Sequence, residues 1–404
     1  MQKILYTSPV LEYPAAGGPQ LRVENSIKTL SRISELYVVS RQAEYFIGGK
    51  KAVDFYKNIC QEFFFAPSVS NLCYNKYYRK VQRVYRRLFS STLMQDAEFI
   101  VSLAQRKNIK IIWFGFGNIS YNLIKEVKKI NPRLKIVCDT DSVWSRFILR
   151  ELPYETDSKR IKQIKSDGLK KELEEKEWVN VCDITTAVST VDAEYYKALA
   201  EDKSKIMLFS NVIDLSKYSM AVDVPPNFIS PSIYLAGTFG PKSPMDKAAR
   251  WFINNIFPLI KKDIQDIHFY IIGNGSKETL CDINESSISI LGKVDSVLPY
   301  LRSIDVALVP LQFESGTRFK IMEAAACKKP IVSTTLGAEG IPVKDKIEIL
   351  LADNEVDFAN AVIKLIKDKA FANFISENCY RLIEKFNSID SLVLEGNKIL
   401  KRLE

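Results

Sequence analysis

Short runs of β-branched and aromatic residues alternate along the whole chain with longer stretches in which apolar residues recur every three or four positions. In the first half the runs fall at 3–8, 35–40, 63–66, 110–114, 135–139, 184–189 and 206–209. In the second half they fall at 232–236, 268–273, 287–291, 305–310, 330–333 and 347–351. Most are apolar throughout rather than at alternate positions, as expected of strands covered on both faces of a parallel sheet. Helical patterns between them predict right-handed strand–helix–strand units and two doubly wound sheets. The stretch MAVDVPPNFISPS at 220–232 holds Pro225, Pro226 and Pro231 and has no period, which predicts a linker there. The expected division is a Rossmann-like domain over 1–222, a second over 223–387, and a helix over 388–404. That helix, with Leu392, Val393, Ile399 and Leu400 apolar, is expected to cross back to the first domain. Two such halves facing across a cleft would place a crevice at the carboxyl ends of both sheets.

Composition narrows the chemistry. A chain of 404 residues, 47% apolar and 26% charged, is globular and long enough for two or three cores, which excludes disorder or coiled coil as its architecture. No apolar run approaches the ~20 residues that span a bilayer. The opening MQKILYTSPV is expected to be a first strand rather than a signal peptide. The 7 cysteines, among them Cys60, Cys73 and Cys138, are scattered without a C-x-x-C pair. That pattern fits reduced thiols and a cytoplasmic location, and argues against a disulfide framework or a zinc site. His268 is the single histidine, so a His–Asp pair or a histidine-rich metal site is excluded. It opens a predicted strand and is expected to be structural. A net charge of +9 permits anionic partners such as nucleotide phosphates or an acidic membrane. No recognition motif accompanies it, so nucleic acid is not an expected partner.

Residues 305–341, DVALVPLQFESGTRFKIMEAAACKKPIVSTTLGAEGI, are the most informative segment. A buried strand, a loop over 311–316, a helix N-capped by Thr317 and a further strand from Pro330 are predicted. A loop that leaves a strand and opens a helix is where an α/β sheet binds phosphates, through free N–H groups and the helix dipole. Thr317, Lys320 and Glu323, spaced i, i+3, i+6, would share one helix face. A hydroxyl and an ammonium suit a diphosphate, and a carboxylate suits ribose hydroxyls. Arg318 adds a second cation.

Here the chain resembles the retaining glycosyltransferases of family 4 (glycosyl transferases group 1), which have the GT-B fold. Their hallmark, E-x7-E followed by A-x-A-C-G-x-P-V-V, is matched by Glu323, Ala324, Ala326, Cys327, Pro330, Ile331 and Val332. A subgroup pattern, G-x-G-T-R-x-K-x-x-E-A and then T-x-x-G-x-E-G, is matched by Ser315, Gly316, Thr317, Arg318, Lys320, Glu323, Ala324 and residues 334–340. Residues 233–240 with Pro244 and Asp246 are similar to the strand and loop that open the family's nucleotide domain. IIGNG at 271–275, with Gly273 and Gly275, is similar to its V-G-x-G strand end. LGKV at 291–294, with Lys293 and Val294, is similar to its G-x-V segment beside the base. Asn211 and Asp214 resemble N-G-V-D. Gly17 and Gly18 resemble the loop that approaches the transferred sugar, and residues 181–189 with Asp192 and Ala193 resemble a D-x-x-x-x-x-S-x-x-x-A segment.

The resemblance implies transfer of a sugar from a nucleoside-diphosphate donor, UDP or GDP, with no cofactor or metal required. It implies a glycan acceptor, lipid-linked, in bacterial surface polysaccharide synthesis. Three departures stand beside it. The first Glu of E-x7-E falls at Ser315, with Glu314 its neighbour. The family's Arg after the first strand of the nucleotide domain is replaced by Thr238 and Phe239, with Lys242 nearby. No histidine lies in the first half. A non-catalytic relative that binds sugar nucleotide or glycan, and an epimerase of the same fold, are the alternatives. Same-face transfer needs no protein nucleophile but must stabilise the departing diphosphate, for which Arg318, Lys320 and the N–H groups of Gly316 and Thr317 are the candidates.

Asp139 and Asp141 form a D-x-D after a strand of the first half; they either contact the acceptor or cap a loop. Glu175 and Glu177 lie in a charged helix read as a solvated face. YNKYYRKVQRVYRRLF, from Tyr74 to Phe89, places Tyr74, Tyr78, Val81, Tyr85 and Leu88 on one face amid Arg and Lys. It reads either as a helix on an anionic membrane, making the protein peripheral at the inner face of the cytoplasmic membrane, or as a helix packed on the sheet.

Overall fold

A computed structural model describes residues 1–15, 17–70 and 92–404. The chain divides into two compact units, and each contains a doubly wound sheet. The first sheet has seven strands: β1 (Lys3–Ser8), β2 (Glu35–Ser40), β3 (Glu62–Phe65), β4 (Ile111–Gly115), β5 (Lys135–Asp139), β6 (Ile184–Ala187) and β7 (Ile206–Leu208). The second has six: β8 (Ser232–Ala236), β9 (His268–Ile272), β10 (Ile288–Gly292), β11 (Val306–Val309), β12 (Ile331–Ser333) and β13 (Leu350–Leu351). Every pairing is parallel.

The spatial orders are β3-β2-β1-β4-β5-β6-β7 and β10-β9-β8-β11-β12-β13. Each reverses direction once, between β1 and β4 and between β8 and β11, and such a switch point opens a crevice at the carboxyl ends of the strands. Burial follows from position. The central strands β4 (IIWFG) and β9 (HFYII) are buried at every residue, while the edge strand β3 (EFFF) is half-buried throughout. Uninterrupted apolar runs are therefore the residues covered by helices on both faces.

The unit boundaries differ from those drawn at 222 and 387. The second unit comprises Arg146–Ser166 and Val212–Ser388. The proline-rich stretch is not the border, because Ile213 already bridges to Ser388 and is buried in the second core, with Leu215 and Tyr218 packed against it. The final helix, Ile389–Leu403, belongs to the first unit. Gly396 permits its approach to the helix Gly18–Ile33, since a Cβ there would lie 2.7 Å from Ile33 Cδ1. Ser210 fastens it through its N–H and hydroxyl, which donate to Glu395 at 2.7 and 2.8 Å. Among the described residues no helix is long and apolar enough to cross a membrane.

Candidate functional site

The crevice of the second sheet is built by backbone approach. After β8, Gly237 N–H donates to Ile272 O at 3.1 Å and Phe239 N–H to Asn274 O at 2.8 Å; after β9, Gly273 N–H donates to Gly292 O at 2.8 Å. The chain can close this way only because side chains are missing. A Cβ on Gly273 (φ +143°) would sit 1.7 Å from Gly237 O, and one on Gly275 (φ +76°) 2.4 Å from Phe239 O. Two of the residues flagged in IIGNG are thus spacers that let three loops converge. Thr238, Lys242 and Lys293 are exposed and Val294 is half-buried. The Lys242 N–H donates to Asp246 Oδ2 at 2.8 Å, and Ser243 caps the helix Pro244–Trp251.

The loop after β11 enters the same crevice. Its helix, Phe319–Ala326, begins one residue later than predicted: Arg318 is in the N-cap position, and Thr317 precedes it. The cap assignment of Thr317 is therefore corrected, and only Lys320 and Glu323 of the expected trio lie in the helix. Gly316 turns the chain with φ +81°. Ser315 and Thr317 are 7% and 8% exposed, and their hydroxyl oxygens have no hydrogen-bond partner among the described residues. The two buried hydroxyls flank a glycine beside a helix N-terminus, a place where free N–H groups and the helix dipole favour an anion.

The Arg318 guanidinium folds onto its own loop, donating from Nη1 to Ser315 O at 2.7 Å and to Gly316 O. The half-buried Glu314 accepts from Ser315 N–H at 3.3 Å. Lys320 Nζ lies 2.9 Å from Met245 Sδ, so the two helices flanking the switch point meet at this ammonium. Burial, with the Arg318 charge, lowers the Lys320 pKa to about 8 against the opposing carboxylates of Glu314 and Glu323. Burial pushes the Glu323 carboxyl up, opposed by a hydrogen bond from Tyr218 and the charge of Lys320. The Tyr218 hydroxyl donates to Glu323 Oε1 at 2.8 Å. No sequence signal marks Tyr218; it stands in an irregular stretch far from the motif.

The 334–340 turn explains its own pattern. Gly337 N–H donates to Thr334 Oγ1 at 2.9 Å, and a Cβ on Gly337 would lie 2.7 Å from Val309 O. Glu339 then receives Arg146 and Arg150, neither of which the sequence singled out. Burial raises the Glu339 carboxyl, but the Arg150 hydrogen bond and the charges of Arg150, Arg146 and Arg318 outweigh it, so its pKa lies below the ordinary range.

In the first unit, Gly17 (φ +114°) and Gly18 lead from β1 into the helix Gly18–Ile33 at that sheet's own switch point. The D-x-D pair diverges. Asp139 is 1% exposed, in an ion pair with Arg22 and accepting from Thr186 Oγ1 at 2.7 Å. Neither an acceptor contact nor a loop cap, the two readings offered for Asp139, is what its described contacts form: its carboxylate closes a buried ion pair, to which Arg22 also brings Asn211 at 2.8 Å. Asp141 accepts from Asn118 and, at 3.1 Å, from Trp144 Nε1; burial raises its pKa against both.

Glu175 corrects the solvated-face reading. It is fully buried, accepting from Ser145 N–H at 3.0 Å and Tyr195 OH at 2.8 Å, whereas Glu177 is exposed. His268 is 4% exposed, and its Nε2 lies 2.8 Å from Ser289 Oγ. Among the described residues no group of three or more His, Cys, Asp or Glu is placed to hold a metal ion. Residues 74–89, with the membrane reading that falls on them, lie outside the described residues.

Residues 230–368 match the family model of the glycosyl transferases group 1. An uncharacterised glycosyltransferase of Methanocaldococcus jannaschii is 30% identical over 151 residues, 35% of this chain and 42% of that protein. An uncharacterised 44.6 kDa protein in the cps region of Klebsiella pneumoniae is 23% identical over 144 residues, 33% of this chain and 37% of that protein. The chain thus matches less than half the length of either curated relative. The crystal structure of HepE of Anabaena, in complex with UDP and glucose, matches 99% of this chain and 100% of its own, with a TM-score of 0.65 at 12% identity. What is shared at that distance is the architecture: two parallel-sheet α/β domains, the GT-B fold.

Proposed function

We propose that this GT-B protein is a retaining glycosyltransferase of the hexosyltransferase type that takes its sugar from a nucleoside-diphosphate donor, UDP- or GDP-linked. The observation that carries the reading is the loop after β11. Gly316 is flanked there by the buried, unpartnered hydroxyls of Ser315 and Thr317, with a helix N-terminus behind them and Lys320 and Glu323 on that helix. A diphosphate would accept from the hydroxyls and from the Gly316 and Thr317 N–H groups, and the Lys320 ammonium would neutralise charge that develops on departure. Arg318 supplies positive charge from within the loop it braces. Glu323, steadied by Tyr218 at one oxygen, would accept from ribose hydroxyls with the other.

In the transfer, the bond from the sugar's anomeric carbon to the phosphate oxygen breaks and a bond to the acceptor oxygen forms on the same face. The acceptor proton passes to the departing phosphate, so no protein nucleophile is used and no metal or cofactor is required by this reading. The acceptor side is assigned to the first unit, where Gly17 and Gly18 open the helix that follows β1 and Asp141 lies just past β5. A glycan acceptor, lipid-linked and belonging to surface polysaccharide, follows from the resemblance, and the Klebsiella relative from a cps region accords with it. Contact with an anionic membrane at the inner face of the cytoplasmic membrane is part of the same proposal and rests on the sequence of 74–89.

The test is a thermal-shift panel of UDP, GDP, ADP, TDP and CMP on wild type and Glu323→Ala. A ligand at ~100 times its Kd stabilises by about 2.7 kcal/mol, which is readily seen. One nucleoside diphosphate should stabilise wild type and not the variant, and its sugar conjugates are then assayed for turnover. If no nucleotide binds the folded protein, the donor reading fails; binding without turnover on any acceptor would make it a non-catalytic relative.

A further inference from the structure

The connection between β5 and β6 does not stay with its own sheet: Arg146–Ser166 is part of the second unit. Its first residues are bonded to the loop that follows β11. Arg150 donates from Nη1 and Nη2 to Glu339 Oε1 and Oε2, each at 2.8 Å, and from Nη1 also to Glu314 O at 2.7 Å. The Tyr154 hydroxyl donates to Gln312 O at 3.0 Å, and its ring stacks on Phe313 with centroids 5.5 Å apart. Lys247 closes the arrangement, donating to Tyr154 O at 3.2 Å with its ammonium 5.0 Å from the Phe313 centroid.

Three consecutive residues, 312, 313 and 314, are therefore each gripped by this segment. A guanidinium is planar, and its fork on a carboxylate fixes direction as well as distance. With Glu339 on the turn after β12, Arg150 fixes the Glu314 carbonyl relative to a second loop. Two residues further on stand Gly316 and the unpartnered hydroxyls. A loop whose N–H groups must converge on a phosphate binds more tightly when its conformation is held beforehand, because less ordering is left for the ligand to impose.

We propose that Arg150 and Tyr154 are positioning residues for the donor loop, holding residues 312–314 in the geometry in which Gly316 and Thr317 receive a nucleoside diphosphate. The proposal rests on the donor reading above. It assigns to a segment lying between two strands of the first sheet the task of preorganising the nucleotide site of the second unit. The grip acts on the phosphate-binding end of the site and leaves the base and ribose contacts untouched, so its loss should be read by the diphosphate alone.

The experiment uses the full chain, with UDP and uridine as titrants (GDP and guanosine if guanine is the base preferred), on wild type, Arg150→Met, Arg150→Lys and Tyr154→Phe. Arg150→Met leaves Glu339 with Arg146, and Tyr154→Phe keeps the ring stack, so both are expected to fold. The expected result is a loss of about tenfold or more in UDP affinity for Arg150→Met, a smaller loss for Tyr154→Phe, partial recovery in Arg150→Lys, and unchanged uridine affinity throughout. Equal losses for UDP and uridine, or none for either, would overturn the proposal while leaving the donor reading in place. Amide exchange of residues 312–318 in the ligand-free proteins keeps the two ideas separate. Faster exchange in Arg150→Met is expected whether or not UDP binds, and unchanged exchange would overturn the positioning role. If wild type bound none of the nucleotides but exchange still quickened, the donor reading would fall and the loop brace would stand.

Discussion

Removing the Tyr218 hydroxyl tests how the carboxylate at the centre of the candidate site is held. In Tyr218→Phe the ring stays and one hydrogen bond, 2.8 Å to Glu323 Oε1, is lost. A bond to a charged acceptor contributes about 1.5–3 kcal/mol, and a buried carboxylate deprived of its donor bears that loss in full. Burial already raises the Glu323 pKa, with the Tyr218 bond and the Lys320 charge opposing it, so the substitution pushes it further up. Because the folded pKa is above the unfolded one, ionising Glu323 in the folded state costs stability as pH rises through the folded value. The variant adds to that cost only where the carboxylate is charged. Its stability deficit should thus be small in acid, grow through the Glu323 titration and level off above it. The second unit has about 200 residues, so ~2 kcal/mol corresponds to roughly 4–8 °C in its transition. Calorimetry of both proteins between pH 4.5 and 8 reads this directly, with the first unit's transition as an internal reference. In a Glu323→Gln background the same substitution should cost about 1 kcal/mol or less, since a neutral bond is all that remains. A deficit independent of pH and equal in both backgrounds would mean that Tyr218 acts by packing alone.

Gly273→Ala should lower stability by about 3 kcal/mol or more, since its Cβ would meet backbone 1.7 Å away. Gly240→Ala, with nothing within 4 Å of its Cβ, should change it by less than ~0.5 kcal/mol; equal effects in thermal unfolding would refute the role given to Gly273. With the Lys320 pKa lowered to about 8, its ammonium is lost as pH rises through that value. UDP affinity measured by calorimetric titration should fall by up to about tenfold per pH unit above it, and Lys320→Met should flatten the profile. Arg22→Met leaves buried Asp139 without its cation, which should cost about 3–5 kcal/mol in the first unit's transition and leave UDP affinity unchanged. A stable Arg22→Met protein would return Asp139 to the list of acceptor contacts.

Much of the molecule follows from local pattern. β1, β2, β5 and β8 occupy the residues that the runs mark, because a strand buried on both faces carries an apolar run along its middle. Glycines 273, 275 and 316 are legible for a related reason: all three have positive φ, and at 273 and 275 the backbone also comes too close for a Cβ, so no other residue fits at little cost. The strand–loop–helix at 306–326 is likewise legible as an element order, and the structure has the strand and the helix in that segment.

Charged residues are where the pattern is silent. Asp139 reads as an acceptor contact or a loop cap and Glu175 as part of a solvated face, and both are buried, because a partner distant in sequence, Arg22 or Ser145 with Tyr195, removes the cost of burying a carboxylate. Tyr218 reaches Glu323 across 105 residues and Arg150 reaches Glu339 across 189, so no window of sequence contains either pair. The sequence by itself determined the strands, the glycine turns and the place of the loop that opens the helix after β11, since each depends on the backbone and its immediate neighbours. The tertiary structure alone decided which charges are buried and which segment braces the loop, since these depend on partners that only folding brings within a few ångströms.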